Sequence, residues 1–286
     1  MSDHVKGLLI TALGVVFIVP DSLFVRLIDA DVWTISFWRY VSAGSVATIG
    51  LLVIKRRGTL QAIRQTGWQG AFYSVAVCVT GIMFVAAVTL TSVANVVLII
   101  AAMPVFAAIF SRIVLKEPVS RRMVLTMLAV AGGLAVIAYG SGSNEIASIE
   151  GDLIALGTAF LFAIALTVAR TKREVSMAPA VPIAFLVGAL LLWPFAEAGS
   201  VPSDQWWILV VHGGFFIVMS ITLLSIGPRY ITSAEIALLI LLESVLAPLL
   251  AWAVIGEHPG DWTLVGGAIV VGALLVSNLV VLTHRG

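Results

Sequence analysis

Glu243 stands in the run Leu-Leu-Ile-Leu-Leu-Glu-Ser-Val-Leu, five residues before Pro248. An ionisable side chain inside an apolar span costs at least about 2.5 to 3.5 kcal/mol near a bilayer centre, so it requires a partner, a water-filled cavity or a task. Two roles suit this carboxylate: pairing a substrate ammonium or carrying a coupling proton. The alternative is a buried glutamate that hydrogen-bonds across helices. Asp21 shares a helix face with Phe17 and Phe24. A carboxylate between aromatic rings suits an amine with an apolar body, whereas an interfacial carboxylate paired with Arg26 would be purely structural. Arg39 has the fork geometry to receive a carboxylate bidentately. The structural role is favoured for it, either snorkelling toward Asp29 or Asp31 or pairing with Asp21. His212, with Phe215, Phe216 and Met219 at helical spacings, forms a polar and aromatic stripe that lines a cavity or packs through an interhelical hydrogen bond. It has no second histidine or cysteine nearby, so no metal site is expected. Trp38, Tyr73, Met103 beside Pro104, and Phe162 complete the candidate cavity lining. Core or lipid-facing packing is the competing account of Tyr73 and Phe162. Asn95 and Glu235 are candidate gate contacts, which hydration at the interface explains equally well.

The elements that position these groups follow from composition. The 286 residues are 60% hydrophobic and 11% charged, with mean hydropathy +1.12. That leaves too little polar surface to coat a soluble domain, which typically carries about 25% charged residues. The apolar residues fall into ten runs, approximately 7–25, 32–54, 68–90, 93–115, 123–140, 151–170, 180–197, 206–226, 232–255 and 262–283. Each matches a hydrocarbon core of about 30 Å. The runs are continuous, not alternating, so they predict helices and not a barrel. The first run meets Pro20 and Asp21 with no small-residue cleavage site and is expected to be a retained span. Of the 16 Lys and Arg residues, all but Arg26 and Arg39 fall on one side of this ten-span arrangement. The positive-inside rule then places both termini in the cytoplasm. Trp33, Trp68, Trp206, Trp207 and Trp262 stand at span ends as expected of interface anchors. Cys78 is the one cysteine, which excludes an intrachain disulfide.

The chain also repeats. A shift of 140 positions aligns Ala94, Leu98, Ile100, Val105, Ala107, Val114 and Glu117 with Ala234, Leu238, Ile240, Val245, Ala247, Val254 and Glu257. A shift of 144 lays Gly7, Leu9 and Ile10 on Gly151, Leu153 and Ile154. The expected organisation is a first five-helix repeat at 1–140, an external linker at 141–150 and a second repeat at 151–286. Five spans per half makes the halves opposite in orientation, the inverted repeat on which many secondary transporters build alternating access.

Several of these features carry a resemblance. Each half has a proline or small residue in the middle of its fourth span, a closing Glu (Leu115-Lys116-Glu117 and Ile255-Gly256-Glu257) and then a Gly-rich span (Gly132-Gly133; Gly266-Gly267 and Gly272). With the Trp38-Arg39-Tyr40 stretch, this resembles the drug/metabolite transporter superfamily, EamA type, and within it most looks like the YddG-type amino-acid exporters of bacterial inner membranes. Val16-Phe17-Ile18-Val19-Pro20 departs from the Phe-Trp-Gly pattern common in the first span. The resemblance implies an all-α, ten-span, multi-pass protein of the bacterial inner membrane that exports small metabolites.

The residues themselves favour transport. Pro20, Pro104 and Pro248 are candidate flexure points for alternating access, and the sparse polarity favours small amphipathic solutes, foremost neutral or aromatic amino acids, with another metabolite or drug class as the alternative. An intramembrane enzyme would need a nucleophile with its base, paired aspartates or a zinc spacing, and no such set stands out. No repeated filter segment suggests a channel, and no phosphate-binding loop suggests an ATP-driven pump. No cofactor and no nucleic acid are expected. The expected partners are the bilayer and a small-molecule substrate, for a monomer whose glycines in spans five and ten also offer a dimer contact.

Overall fold

A computed structural model of the chain describes residues 3–55, 58–141, 146–172, 174–226, 230–231 and 233–283. Among these residues the structure is helical throughout, without strands. The helices are α1 (Asp3–Ile18), α2 (Asp21–Leu27), α3 (Val32–Lys55), α4 (Thr59–Leu90), α5 (Val93–Ile100), α6 (Met103–Val114) and α7 (Arg121–Ser141). They continue as α8 (Ile149–Arg170), α9 (Val181–Leu192), α10 (Trp206–Val211), α11 (Val218–Ile226), α12 (Ser233–Ile255) and α13 (Asp261–Thr283). Eight helical stretches among the described residues are long and apolar enough to cross a membrane, and the apolar stretches Ala178–Leu192 and Leu239–Ile255 are shorter. Leucine, isoleucine and valine side chains such as Leu9, Val53, Leu125, Leu190 and Val276 lie exposed along the helices. That surface belongs in lipid, because a water-soluble protein rarely exposes contiguous apolar patches beyond a few hundred Å².

The boundaries expected from sequence hold to within a few residues, and the exceptions have local causes. α4 begins at Thr59, well before 68, and Gly67 with φ 63° bends it, which separates a short initial helical stretch from the apolar run. Pro20 ends the continuous helix, so the first span is α1 followed by α2. The fourth span is likewise divided at Ala101–Ala102, where the Ala102 N–H donates to Ile99 O and Pro104 stands in the first turn of α6. Pro248, the third expected flexure point, lies inside α12, which runs through it unbroken. Without an N–H it leaves the Ser244 carbonyl unpaired by the helix ladder, a loss that packed neighbours tolerate.

Helices α7 and α13 pack closely along each other. A Cβ on Gly266 would stand 2.6 Å from the Gly133 carbonyl oxygen, and one on Gly133 2.8 Å from that of Gly266, so the two backbones approach closely because neither has a side chain. Two further close approaches recur at related positions. Gly7 in α1 lies against Tyr230 and Ile231, and Gly151 in α8 lies against Leu90 and Thr91. A Cβ on Gly7 would stand 2.5 Å from Tyr230 Cβ and one on Gly151 2.7 Å from Thr91 Cβ. The glycines are 144 positions apart and their contacts 140, the same shifts that align the two halves.

Candidate functional site

Asp21 opens α2, immediately after the Pro20 break, and is buried. One carboxylate oxygen, Oδ2, accepts from Arg39 Nη2 of α3 at 2.7 Å, and the other, Oδ1, lies 2.5 Å from His212 Nε2. The three groups come from three separate elements. Gly213 permits this approach: a Cβ there would collide with Ser42 Oγ and stand 2.8 Å from the Arg39 carbonyl oxygen. His212 begins a π-helical turn, His212–Ile217, between α10 and α11. Such turns are rare and recur at functional positions.

Aromatic rings enclose the cluster on one side. Phe17 meets Phe215 and Phe216 with ring centroids 5.4 and 5.7 Å apart, and Phe24 lies 5.2 Å from the His212 ring and 4.9 Å from that of Phe216. The Arg39 guanidinium sits over the Phe84 ring at 5.3 Å, an arrangement that adds cation–π attraction. Two buried nitrogens of the cluster, Arg39 Nη1 and His212 Nδ1, have no hydrogen-bond partner within the protein. Ser22 Oγ and Ser36 Oγ, on α2 and α3, are buried in the same condition. Leaving buried polar atoms unsatisfied costs about 1 to 3 kcal/mol each. Arg39 Nη1 and His212 Nδ1 belong to one ion-paired cluster, so two donor-capable nitrogens remain unpartnered there. Half-buried Glu243 of α12 lies within electrostatic reach of Asp21.

Phe17, Asp21, His212 and Phe216 are therefore gathered from the expected set, and Arg39 joins them through the Asp21 pairing. Arg26 is not the partner of Asp21. Trp38 is next to the cluster in sequence but turns its indole Nε1 to the Ala198 carbonyl at 3.2 Å and packs edge-on against Trp206 at 4.7 Å. That contact also makes Trp206 part of the core instead of a simple interface anchor. Tyr73 joins the α3–α9 core with Phe37, Tyr40 and Phe185. Phe162 and Met103 are half-buried, and no ring contact or hydrogen bond described here ties either to the cluster.

Asn95 has a different neighbourhood from the hydrated interface considered above: it is fully buried. Its amide nitrogen donates to Asp152 Oδ1 at 2.9 Å and Ser141 Oγ at 2.8 Å, while its Oδ1 accepts from Thr263 Oγ1 at 2.7 Å. Thr91 and Ser141 hydroxyls also donate to Asp152, at 2.8 and 2.5 Å. This network ties α5, α7, α8 and α13 together at one end of the bundle. Asp152 escaped the sequence reading because an acidic residue in a first helical turn is ordinary. The side chain of Glu235, the counterpart of Asn95, lies outside the described residues.

Two ion pairs mark the ends of the bundle. At the end carrying the Asp152 network, Arg26 Nε lies 3.0 Å from Glu257 Oε2, and Arg26 Nη2 donates to the Thr91 carbonyl at 2.8 Å. Glu257 Oε1 accepts from the Val93 N–H at 2.5 Å, the first residue of α5. At the other end Arg170 Nη2 lies 2.9 Å from Glu117 Oε1 and Nη1 donates to Ser111 Oγ at 3.1 Å.

The model of one family, described as the EamA-like transporter family, matches residues 5–139 and 149–279. The chain belongs to the EamA-like transporter family. This EamA protein is accordingly a multi-pass membrane transporter. No curated protein matches it. A crystal structure described only as that of a protein superposes with TM-score 0.69 at 17% identity, covering 97% of this chain and 98% of that one, a likeness that concerns the fold alone.

Proposed function

We propose that this EamA protein is a secondary exporter of the YddG type that moves small amphipathic metabolites, neutral or aromatic amino acids foremost, out through the bacterial inner membrane. The observation that carries this reading is the buried Asp21–Arg39–His212 cluster with its unpartnered nitrogens beside phenylalanine rings. An amino acid offers an ammonium for Asp21 or Glu243, a carboxylate for Arg39 Nη1 and His212 Nδ1, and an apolar body for Phe17, Phe24 and Phe216. The Asp21–Arg39 pair holds the two charges in reserve until such a zwitterion replaces it. A sugar would satisfy neither charge, and a phosphate would meet two carboxylates.

The shorter helices Ala178–Leu192 and Leu239–Ile255 are read as spans seven and nine of ten, with repeats at 1–140 and 151–286, an external linker at 141–150 and both termini cytoplasmic. The matching close approaches of Gly7 and Gly151, and the two family matches of similar length, support the inverted repeat. The transporter works as a monomer by alternating access. Pro20 and the Ala101–Ala102 break before Pro104 are its flexure points, with Pro248 bending α12 only in the alternate state. Under this orientation the Asp152 network and Arg26–Glu257 close the outer end.

Ligand-dependent thermal stabilisation tests the substrate class. A ligand at 100 times its dissociation constant stabilises the state it binds by about 2.7 kcal/mol. Phenylalanine, tryptophan and leucine should raise the melting temperature of the purified protein, and glucose and nucleotides should not. Arg39→Lys, which loses the planar fork, should abolish the amino-acid effect. Equal stabilisation by sugars, or none by any amino acid, would overturn the assignment.

A further inference from the structure

The two ion pairs at the bundle ends are related by the same shifts as the halves. Arg26 and Arg170 stand 144 positions apart, at the ends of α2 and α8, and Glu117 and Glu257 stand 140 apart, just past α6 and α12. Each pair therefore joins the first span of one half to the fourth span of the other. Their surroundings are unequal. The Glu257 side chain is 8% exposed and Arg26 20%, whereas Glu117 is 46% and Arg170 55% exposed.

We propose that Arg26–Glu257 and Arg170–Glu117 are reciprocal gate latches, the first fully fastened at the outer end in this state and the second, here paired at 2.9 Å, gaining its backbone partners at the inner end in the alternate state. The inference rests on the inverted-repeat, alternating-access reading above. Its physical basis is the set of backbone groups that, among the described residues, the outer latch contacts and the inner one does not. Arg26 reaches the Thr91 carbonyl and Glu257 the Val93 N–H, so the latch fastens α2 and the end of α12 to the α4–α5 connection. Glu257 thereby places a carboxylate at the N-terminus of α5, where the helix dipole favours it. Shifting these partners by 140 positions predicts the inner latch in full: Arg170 on the Ile231 carbonyl and Glu117 on the Ser233 N–H. At present Arg170 instead reaches Ser111, on the same helix that leads to Glu117.

Side-chain exposure agrees with this division. The more buried latch is held by charge-assisted bonds of Arg26 Nη2 to the Thr91 carbonyl and of the Val93 N–H to Glu257, while an ion pair about half exposed contributes little. The state with the outer end shut is thus the one in which the outer latch contributes its full interaction. Loss of that interaction shifts the population toward the outward-open state, and loss of the inner latch shifts it the opposite way.

The test uses a single reporter cysteine. Val97, one turn beyond Val93 in α5, is buried against Val15, Val19 and Ala247 behind the outer latch. In a Cys78→Ala, Val97→Cys protein, modification by a membrane-impermeant maleimide is followed in right-side-out and inverted membrane vesicles. Arg26→Ala and Glu257→Gln should raise the outside rate, and Arg170→Ala and Glu117→Gln should lower it, each by about fivefold or more, the lower end of ordinary coupling between two states. The inside rate should move reciprocally. Arg170 and Glu117 are exposed enough for their variants to fold, so the second arm stands even where an outer-latch variant misfolds. Shifts of the same sign for both pairs, or no shift, would overturn the latch proposal while leaving the transport reading intact. Inside and outside rates that rise and fall together would instead indicate a continuous pore, overturning alternating access and the latches with it.

Discussion

Replacing Arg39 by methionine removes the partner of a buried carboxylate while keeping an unbranched apolar stem. Asp21 has one partner per oxygen, Arg39 Nη2 on Oδ2 and His212 Nε2 on Oδ1, so the substitution orphans Oδ2 and leaves His212 as the sole remaining contact. Breaking one side of a buried ion pair costs about 3 to 5 kcal/mol. The retained histidine places the expected loss near the lower limit of that interval. Removing Asp21 as well, in Asp21→Asn with Arg39→Met, eliminates the uncompensated charge and should recover at least about 2 kcal/mol of the loss, as neutral replacement of buried pairs generally does. Reversible unfolding in mixed micelles of the two single variants, the double variant and the parent gives the coupling directly. Additivity within about 0.5 kcal/mol would refute the reasoning, because it would mean that Asp21 and Arg39 do not interact as a desolvated pair.

Gly266→Ala sets a Cβ against the Gly133 carbonyl and should cost about 1 to 3 kcal/mol, measured as a fall in melting temperature. Gly132→Ala, where a Cβ meets nothing within 4 Å, should not lower it. Asp152→Leu removes the acceptor for the Thr91, Asn95 and Ser141 donors and should destabilise by about 1 to 3 kcal/mol for each donor left unsatisfied. Asp152→Asn, which keeps one acceptor, should lie between Leu and the parent in the same unfolding measurement. Asp31 lies outside the spans and caps α3, its Oδ1 accepting from the Trp33 and Thr34 N–H groups at 2.8 and 3.1 Å. Partial burial pushes its carboxyl up, but the Thr34 hydroxyl and these N–H groups outweigh that and hold it below its ordinary value. The cap should therefore stabilise α3 above about pH 4, the unfolded value, and fade as pH falls through the lower folded one. A pH titration comparing the parent with Asp31→Ala should show that difference shrinking only in acid.

Much of the fold was legible because lipid imposes a simple requirement, about 20 apolar residues per helix, that the charged and Pro/Gly-rich breaks of this chain display directly. Phe17, Asp21 and Phe24, expected on one helical face, do meet common neighbours in Phe216 and His212, although the helix breaks at Pro20 between the first and the other two. The partners of Asp21 were only partly readable. Arg39 appeared as one of several choices, whereas His212 is nearly 200 residues away and meets Asp21 through a π-helical turn and the small Gly213, features of packing instead of pattern. Pro248 and Pro104 illustrate the limit in another way. Under the shift of 140, Pro104 falls on Ser244 and Pro248 on Ala108; Pro104 stands in the first turn of α6, where its missing N–H breaks no ladder bond, whereas Pro248 lies inside an unbroken α12. The Arg26–Glu257 pair was available in principle: extending the shift of 144 from Gly7 and Gly151 reaches Arg26 and Arg170, which gives both ends an arginine for their closing glutamate.

Counterflow in proteoliposomes reaches the central claim most directly. Vesicles containing the purified protein are loaded in turn with unlabelled amino acids, sugars or nucleotides, and entry of labelled phenylalanine is followed with and without a pH gradient. The account predicts transient accumulation of label in vesicles loaded with neutral or aromatic amino acids, absent from sugar- and nucleotide-loaded vesicles and lost in Arg39→Lys. Accumulation driven equally by sugar loading, or exchange undiminished in Arg39→Lys, would contradict a zwitterion-binding exporter built on the Asp21–Arg39–His212 cluster.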